Sequence, residues 1–352
     1  MGSPMITRLI SFKRSLLETL AVCHYVYIWI LMPLWSTWFP IYLLFFTKYW
    51  WLMCIYFAWF LYDRNTPRRG GRRWEFYRNA SIWKYFASYF PMKLVKTAEL
   101  PPDRNYIIGL HPHGVLSMSN FTHMCTEGTS FSKHYPNLIS NILTLNGQFY
   151  FPIRREIGLS VGGVECSHES LRYLLEHPGK GRAIGIVIGG AQEVLDAHAN
   201  TFNTNILHRK GFVQFALKYG ADLVPSYSFG ENDLYGQMDN PIGSKLRSVQ
   251  DLIKKKCGFC PPVFFGQSIL LNIGIGMLPR RTPITTVIGS PIRIEKVDGE
   301  PSSEQIAKVH TKYCEELYKL FEAYKHLHNI DKDASYLICV IQPNRNENLC
   351  RC

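Results

Sequence analysis

Apolar and polar positions divide the chain at Tyr62. From Thr19 to Tyr62 nearly every position is apolar or aromatic, and Lys48 is the single full charge. About 20 helical residues cross a bilayer, so the run has the length of two crossings. Pro33 and Pro40, near its middle, predict the turn of a hairpin. Past Tyr62 the pattern changes to DRNTPRRGGRRWEFYRN, and then to strand-length apolar runs alternating with helical spacing. Tyr106–Leu110, Gln148–Ile153, Ala183–Ile188, Leu223–Tyr227 and Ile284–Ile288 are expected as strands, and Ser167–His177 and Gly211–Tyr219 as helices. Ser302 and Gln305 predict a capping box for a last helix whose apolar face is Ile306, Val309, Tyr313, Leu317, Leu320 and Tyr324. The expected class is α/β with a largely parallel or mixed sheet. The expected organisation is a cytosolic N-terminus (1–18), a two-helix transmembrane hairpin (19–62) and a cytosol-facing domain (63–352).

A secretory signal is a poor alternative, because the apolar run is too long and no small-residue cleavage site closes it. Lys13 and Arg14 precede the run, and Arg64, Arg68, Arg69, Arg72 and Arg73 follow it, which places both flanks on the cytosolic side. The 352 residues carry 39 Lys+Arg against 27 Asp+Glu, a formal net charge of +12. Without zinc-finger spacing, a basic zipper or an RNP-like signature, nucleic acid is not the expected partner. The clusters Arg64–Arg73 and Lys254–Lys256 suit an anionic membrane face or a polyanionic cofactor. The ten cysteines show no framework spacing, and Cys257 and Cys260 form a lone CxxC followed at once by Pro261 and Pro262, so no metal is expected.

The most informative segment is NYIIGLHPHGVLSMSN. A strand ending at His111-Pro112-His113-Gly114 projects two imidazoles from its carboxyl end, where α/β folds place ligands. Neutral imidazole takes a proton from an alcohol near pH 7, which suits a general base for acyl transfer. Metal ligation and hydrogen-bonded packing are the alternatives for such a pair.

HPHG, together with VKTAELPPDRNY, IVIGGAQEVLDA, RKGF, ADLVPSYSFGEND and PITTVIGSPI, resembles the membrane-bound acyl-CoA:acylglycerol acyltransferases. These comprise monoacylglycerol acyltransferases, type-2 diacylglycerol acyltransferases and wax synthases. The run Gly189–Glu193 followed by Leu195–Ala197 is more like the monoacylglycerol members. The resemblance implies a glycerolipid-acyltransferase-like mixed sheet with flanking helices. It also implies transfer of a fatty acyl group from acyl-CoA, a co-substrate rather than a resident cofactor, to mono- or diacylglycerol. The place would be the endoplasmic reticulum membrane, with product feeding lipid droplets, and a homo-oligomer is left open.

On that resemblance His113 is the expected base, with His111 beside it. Relatives orient their His with an Asp five positions on, where this chain has Met118; Glu193, just beyond the end of another strand, is the candidate replacement. Backbone amides around Gly114 or Gly189-Gly190 are candidate oxyanion donors. Arg209-Lys210-Gly211, opening a helix, would meet the CoA phosphates. Where the family has H-G-R-G, this chain reads Phe265-Gly266-Gln267-Ser268, without the arginine.

Two rival readings come from other classes. Gly158-Leu159-Ser160-Val161-Gly162 is a literal GxSxG, which would make the chain a serine lipase, but its flanks lack the strand and helix of a nucleophile elbow. A non-catalytic lipid-surface scaffold would explain hairpin and charge while leaving the strand-end histidines idle.

Overall fold

The apolar run at Tyr106 becomes the middle of a seven-stranded mixed sheet in the computed structural model, which describes residues 4–177, 179–268, 276–328 and 330. In chain order the strands are β1 (Lys93–Lys96), β2 (Tyr106–His111), β3 (Ile139–Thr144), β4 (Gly163–Glu165), β5 (Arg182–Val187), β6 (Asp222–Phe229), β7 (Gly236–Gln237), β8 (Phe264–Phe265) and β9 (Thr285–Ile288). The sheet order is β1-β9-β6-β2-β5-β3-β4, and β7 and β8 form a separate pair. Strand β2 runs parallel to both neighbours, with Leu110 opposite Val187 and His111 opposite Tyr227. Only β6 against β9 is antiparallel within this sheet.

Every residue of β2 is buried, as a strand covered on both faces requires. Tyr106, Ile108 and Leu110 enter one core with Trp83, Phe86 and Phe121. Ile107 enters the other with Phe212, Tyr313 and Leu317. The last helix, Ser303–Tyr324, covers that second face and begins at the expected capping box: Ser302 Oγ accepts from the Gln305 amide at 3.1 Å and Gln305 Oε1 accepts from the Ser302 amide at 2.8 Å. Helices His168–Glu176 and Gly211–Tyr219 also stand where helical spacing places them.

One expected strand is not there. Gln148–Ile153 holds the end of the 3₁₀ turn Asn146–Phe149 and leads into helix Arg154–Ser160, while the strand of this region is β3. The cause is visible in the side chains. Phe149 is buried and anchors the turn. The polar Ser140 and Asn141 are buried too, Ser140 Oγ accepting from Arg78 at 2.9 Å and Asn141 Nδ2 donating to the Gly162 carbonyl at 3.0 Å. Buried polar groups tied into hydrogen bonds hide a strand from a hydrophobicity pattern.

The apolar N-terminus also differs from the expected hairpin. Helix Pro4–Val26, a π-helical turn Tyr27–Leu31 and helix Met32–Phe46 follow one another directly, with Pro33 in a first turn and Pro40 in the interior. The chain turns at Thr47–Tyr49 instead, around Lys48, and returns as helix Trp50–Asp63. Ala21, Val22, Tyr25 and Val26 belong to the domain core, so the start of the run is packing surface rather than membrane surface. Beyond it the side chains face outward: Trp38 is 70%, Phe45 75% and Phe46 74% exposed. Among the described residues one helix, Ser11–Phe46, is long and apolar enough to cross a membrane. The 14-residue return limb reaches only about 21 Å, against about 30 Å of hydrocarbon, which is short of a second full crossing.

The basic junction is partly neutralised by the domain itself. Arg68 pairs with Glu165 at 2.9 Å, Arg72 with Glu156 at 3.0 Å and Arg73 with Glu75 at 2.9 Å, leaving Arg64 and Arg69 exposed.

Candidate active site

Three adjacent parallel strands end on the same side of the sheet, and each delivers one part of the site. Strand β2 carries His111-Pro112-His113-Gly114, β5 leads to Gly189, Gly190 and Glu193, and β6 leads through Gly230 to Glu231. This is the carboxyl edge at which open α/β sheets bind ligands.

His111 is wholly buried, and its Nε2 lies 3.2 Å from the Tyr313 hydroxyl. Burial pushes its pKa down to about 3, so the ring is neutral throughout the physiological range. Gly109 makes the Tyr313 contact possible, because a Cβ there would lie 1.9 Å from that hydroxyl. The His111–Pro112 peptide is cis.

His113 is half-buried, and its Nδ1 lies 2.9 Å from the Gly114 carbonyl oxygen. A carbonyl only accepts, so Nδ1 carries the proton and the neutral ring keeps its lone pair on Nε2. Burial lowers the His113 pKa, which favours this neutral form at pH 7.

The loop holding His113 is fixed by two buried carboxylates and an amide. Glu193 Oε2 accepts from the His113 amide at 2.9 Å and Oε1 from the Asn205 amide at 2.8 Å. It therefore meets the main chain of His113 rather than the imidazole, and the ring takes its orientation from its own neighbour's carbonyl. Burial raises the Glu193 pKa to about 7, against the pull of those two amides and of the nearby Arg209 charge. Gly189 is required by the same contact: its added Cβ would stand 1.8 Å from Glu193 Cδ. Gly190 has φ +58 with open space around it. Asn120 Nδ2 donates to the Pro112 carbonyl at 3.1 Å.

Glu231 was not singled out by sequence reasoning. Its Oε1 accepts from the Met118 amide at 2.8 Å and its Oε2 from the Ser119 amide at 2.9 Å, at the start of helix Met118–Cys125. Gly114, at φ +64, leaves the space Glu231 occupies, since a Cβ would lie 2.6 Å from Glu231 Cγ. Burial raises this carboxyl's pKa as well. The sequence signal for it is an acid just beyond an apolar strand and a glycine, as for Glu193.

The family described as diacylglycerol acyltransferase matches residues 42–339. The chain belongs to this family. It is 45% identical over 278 residues to the mouse (Mus musculus) 2-acylglycerol O-acyltransferase 1, covering 79% of this chain and 82% of that one. It is 43% identical over 282 residues to the human (Homo sapiens) diacylglycerol O-acyltransferase 2, covering 80% and 72%. Among solved structures, the 1-acyl-sn-glycerophosphate acyltransferase PlsC of Thermotoga maritima aligns over 88% of this chain and 96% of its own at 13% identity, with a TM-score of 0.40.

Other residues of interest fall outside this cluster. Arg209 is half-buried and Lys210 exposed at the start of helix Gly211–Tyr219, four and five residues past the Asn205 that bonds Glu193. Ser160 ends a helix and its hydroxyl donates to the Ile157 carbonyl at 2.8 Å, so the strand–turn–helix of a lipase nucleophile is absent there. Phe265 closes β8, and Gly266 and Gln267 bridge to Gly276 and Leu278. Cys260 is buried and free, while the side chain of Cys257 lies outside the described residues. Among the described residues no group of three metal-ligating side chains occurs.

Proposed function

We propose that this chain is an acyl-CoA-dependent O-acyltransferase that converts monoacylglycerol to diacylglycerol and, further, diacylglycerol to triacylglycerol. Membership of the diacylglycerol acyltransferase family and the names of its relatives support the reaction class. The observation that carries the mechanism is the tautomer of His113, whose Nδ1–H is committed to the Gly114 carbonyl, leaving Nε2 as the base.

A CoA thioester is already activated, so no acyl-enzyme is needed. The acceptor hydroxyl gives its proton to His113 Nε2 as its oxygen attacks the thioester carbonyl. The C–O bond forms, the C–S bond breaks, and the imidazolium returns the proton to the departing thiolate. The His113 amide is engaged by Glu193, so the oxyanion falls to the amides of Gly114, Gly189 or Gly190. His111 supports the loop from below through Tyr313, while Glu193 and Glu231 hold its main chain. Arg209 and Lys210 take the CoA phosphates at the head of their helix.

The water-insoluble acceptor reaches the site laterally from the bilayer in which the hairpin is embedded. In this reading the membrane is that of the endoplasmic reticulum, with the segments before and after the hairpin both cytosolic. The test supplies membranes containing the chain with labelled oleoyl-CoA and, in turn, monoacylglycerol, diacylglycerol and a long-chain alcohol. Labelled di- and triacylglycerol are expected. His113→Ala should lower their formation at least about a hundredfold, while Ser160→Ala leaves it intact. Undiminished esterification by His113→Ala refutes the mechanism, and labelled ester from the alcohol alone moves the chain to wax synthesis.

A further inference from the structure

Neither the fold nor acyl transfer accounts for Arg154. Its residue is 3% exposed, and among the described residues no carboxylate pairs with it. The adjacent Arg155 shows how a buried guanidinium is satisfied in this domain, by Glu156 at 2.7 Å and the Asp63 carbonyl at 2.7 Å. Arg154 has one such bond, from Nη1 to the Gln148 carbonyl at 3.0 Å, and its buried Nε has no partner. Its guanidinium lies over the Trp29 ring, 4.5 Å from the centroid, and 5.7 Å from that of Phe151. The Trp29 Nε1–H is likewise buried without an acceptor. Burial with no counter-charge lowers the arginine's pKa to about 10.

The backbone on both sides is unusual. Ile153, directly before Arg154, has φ +66 and ψ −53, a conformation that β-branched residues avoid, and its amide donates to the Tyr56 hydroxyl on the return limb at 3.3 Å. Trp29 sits inside the π-helical turn Tyr27–Leu31, the one break in the run of helix from Pro4 to Phe46, and π turns concentrate at functional positions. Two irregular segments thus meet at one guanidinium that no carboxylate pairs with, and each carries a buried N–H donor without an acceptor.

The geometry points to a phosphate-binding subsite formed by Arg154 and Trp29 at the base of the membrane hairpin, filled by a lipid headgroup phosphate or by a phosphate of CoA. A desolvated cation calls for an anion, and a phosphate offers a guanidinium several strong acceptor oxygens. The cluster lies where the outward-facing apolar helices join the domain, the level at which phospholipid phosphates stand. Its occupant would also steady the catalytic loop. Trp29 packs on Phe121, with centroids 5.5 Å apart, and the Tyr25 hydroxyl donates to the Leu116 carbonyl at 2.8 Å, both in the segment that follows Gly114.

The test uses the full chain, purified in a neutral detergent and stripped of lipid, and reads binding, so it stands whether or not the acyl-transfer reading holds. Dioctanoyl phosphatidate, CoA, dioctanoylglycerol and octanoate are titrated against wild type, Arg154→Gln and Trp29→Phe, with calorimetry and thermal unfolding as readouts. A phosphate-bearing probe is expected to bind wild type and to lose at least about tenfold in affinity in Arg154→Gln, with a smaller loss in Trp29→Phe. Dependence on Arg154 for phosphatidate alone assigns the lipid headgroup, and for CoA alone the co-substrate. Phosphate probes that bind wild type and both variants equally overturn the inference, as do octanoate binding in their place and no phosphate-dependent binding at all. Should Arg154→Gln fail to fold, Trp29→Phe decides, and unchanged affinity in that variant overturns it.

Discussion

Replacing Glu193 by Gln separates a positioning carboxylate from an orienting acid at the imidazole. The two carboxylate oxygens are divided between two amides, His113 at 2.9 Å and Asn205 at 2.8 Å. A glutamine keeps one acceptor and turns an NH₂ toward the other amide, so one charge-assisted bond is lost whichever way it faces, at about 1.5–3 kcal/mol. If the loss falls on His113, kcat/KM should drop about tenfold to a hundredfold, and the pH dependence assigned to His113 should stay where it was. Stability carries the second signature. The folded pKa of about 7 stands above the ordinary 4.5, so the native state holds the proton more tightly than the unfolded chain. The associated stability is complete below pH 4.5 and is lost as pH rises to about 7. The neutral variant lacks this term. The stability difference between wild type and Glu193→Gln should therefore change by on the order of 3 kcal/mol across that window, wild type gaining as pH falls. Thermal unfolding in detergent at pH 4.5 to 8, with initial rates at each pH where the protein is active, measures both. Wild-type kcat/KM at every pH together with a parallel stability profile would refute the reasoning.

The neighbouring glycines make a matched pair. Gly189→Ala places a Cβ 1.8 Å from Glu193 Cδ and should displace the carboxylate, costing about 1–3 kcal/mol and most of the activity, whereas Gly190→Ala meets open space at φ +58 and should cost about 1–2 kcal/mol with activity largely kept. Denaturation midpoints and rates on the same preparations check this, and equal loss of activity in both variants would contradict it. Neutralising Arg209 and Lys210 together should raise the apparent KM for acyl-CoA without changing that for monoacylglycerol; an unchanged KM for acyl-CoA removes the assignment. Glu231→Gln, which disturbs the Met118 and Ser119 amides, should lower kcat more than it raises either KM, as steady-state kinetics on both substrates would reveal.

The parts of the fold legible in the sequence are those where burial and apolarity coincide. Strands β2 and β5 are nearly uninterrupted apolar runs, β6 and β9 keep enough apolar positions at Leu223, Val224, Tyr227, Val287 and Ile288 to stand out, and the last helix announces itself by a capping box and a one-sided apolar stripe. Strand β3 was hidden because Ser140 and Asn141 are buried with their partners, which come from far along the chain. Pro33 and Pro40 marked a turn that lies instead at Lys48, because a first-turn proline suits a helix and the surrounding aromatic helix tolerates the second. At the site, His113, Gly114, Gly189 and Glu193 are brought to one edge of the sheet. Glu193 was anticipated at the ring and found at the main chain, a distinction of a few ångströms that spacing along the chain does not carry. Glu231 is inconspicuous in the sequence, because an acid within Gly-Glu-Asn-Asp has the composition of an ordinary turn.

The missing acid at Met118 and the two carboxylates outside the motif belong to one physical solution. An acid at the imidazole would fix the tautomer and also stabilise the imidazolium. Here the Gly114 carbonyl does the first and offers only a dipole for the second, and burial outweighs that dipole, keeping the His113 pKa low and the ring neutral. In the proposed mechanism such a ring is a weak base, so its placement has to be good. Both Glu193 and Glu231 are spent on amides at either end of the His113–Ser119 loop, and both are buried where the ionised form is disfavoured. A thioester asks for no more than this, because its carbonyl is already activated and its thiolate leaves readily. An oxygen ester or amide would need a stronger base and better-stabilised imidazolium, so the same scaffold should hydrolyse glyceride esters poorly even with water in the acceptor's place.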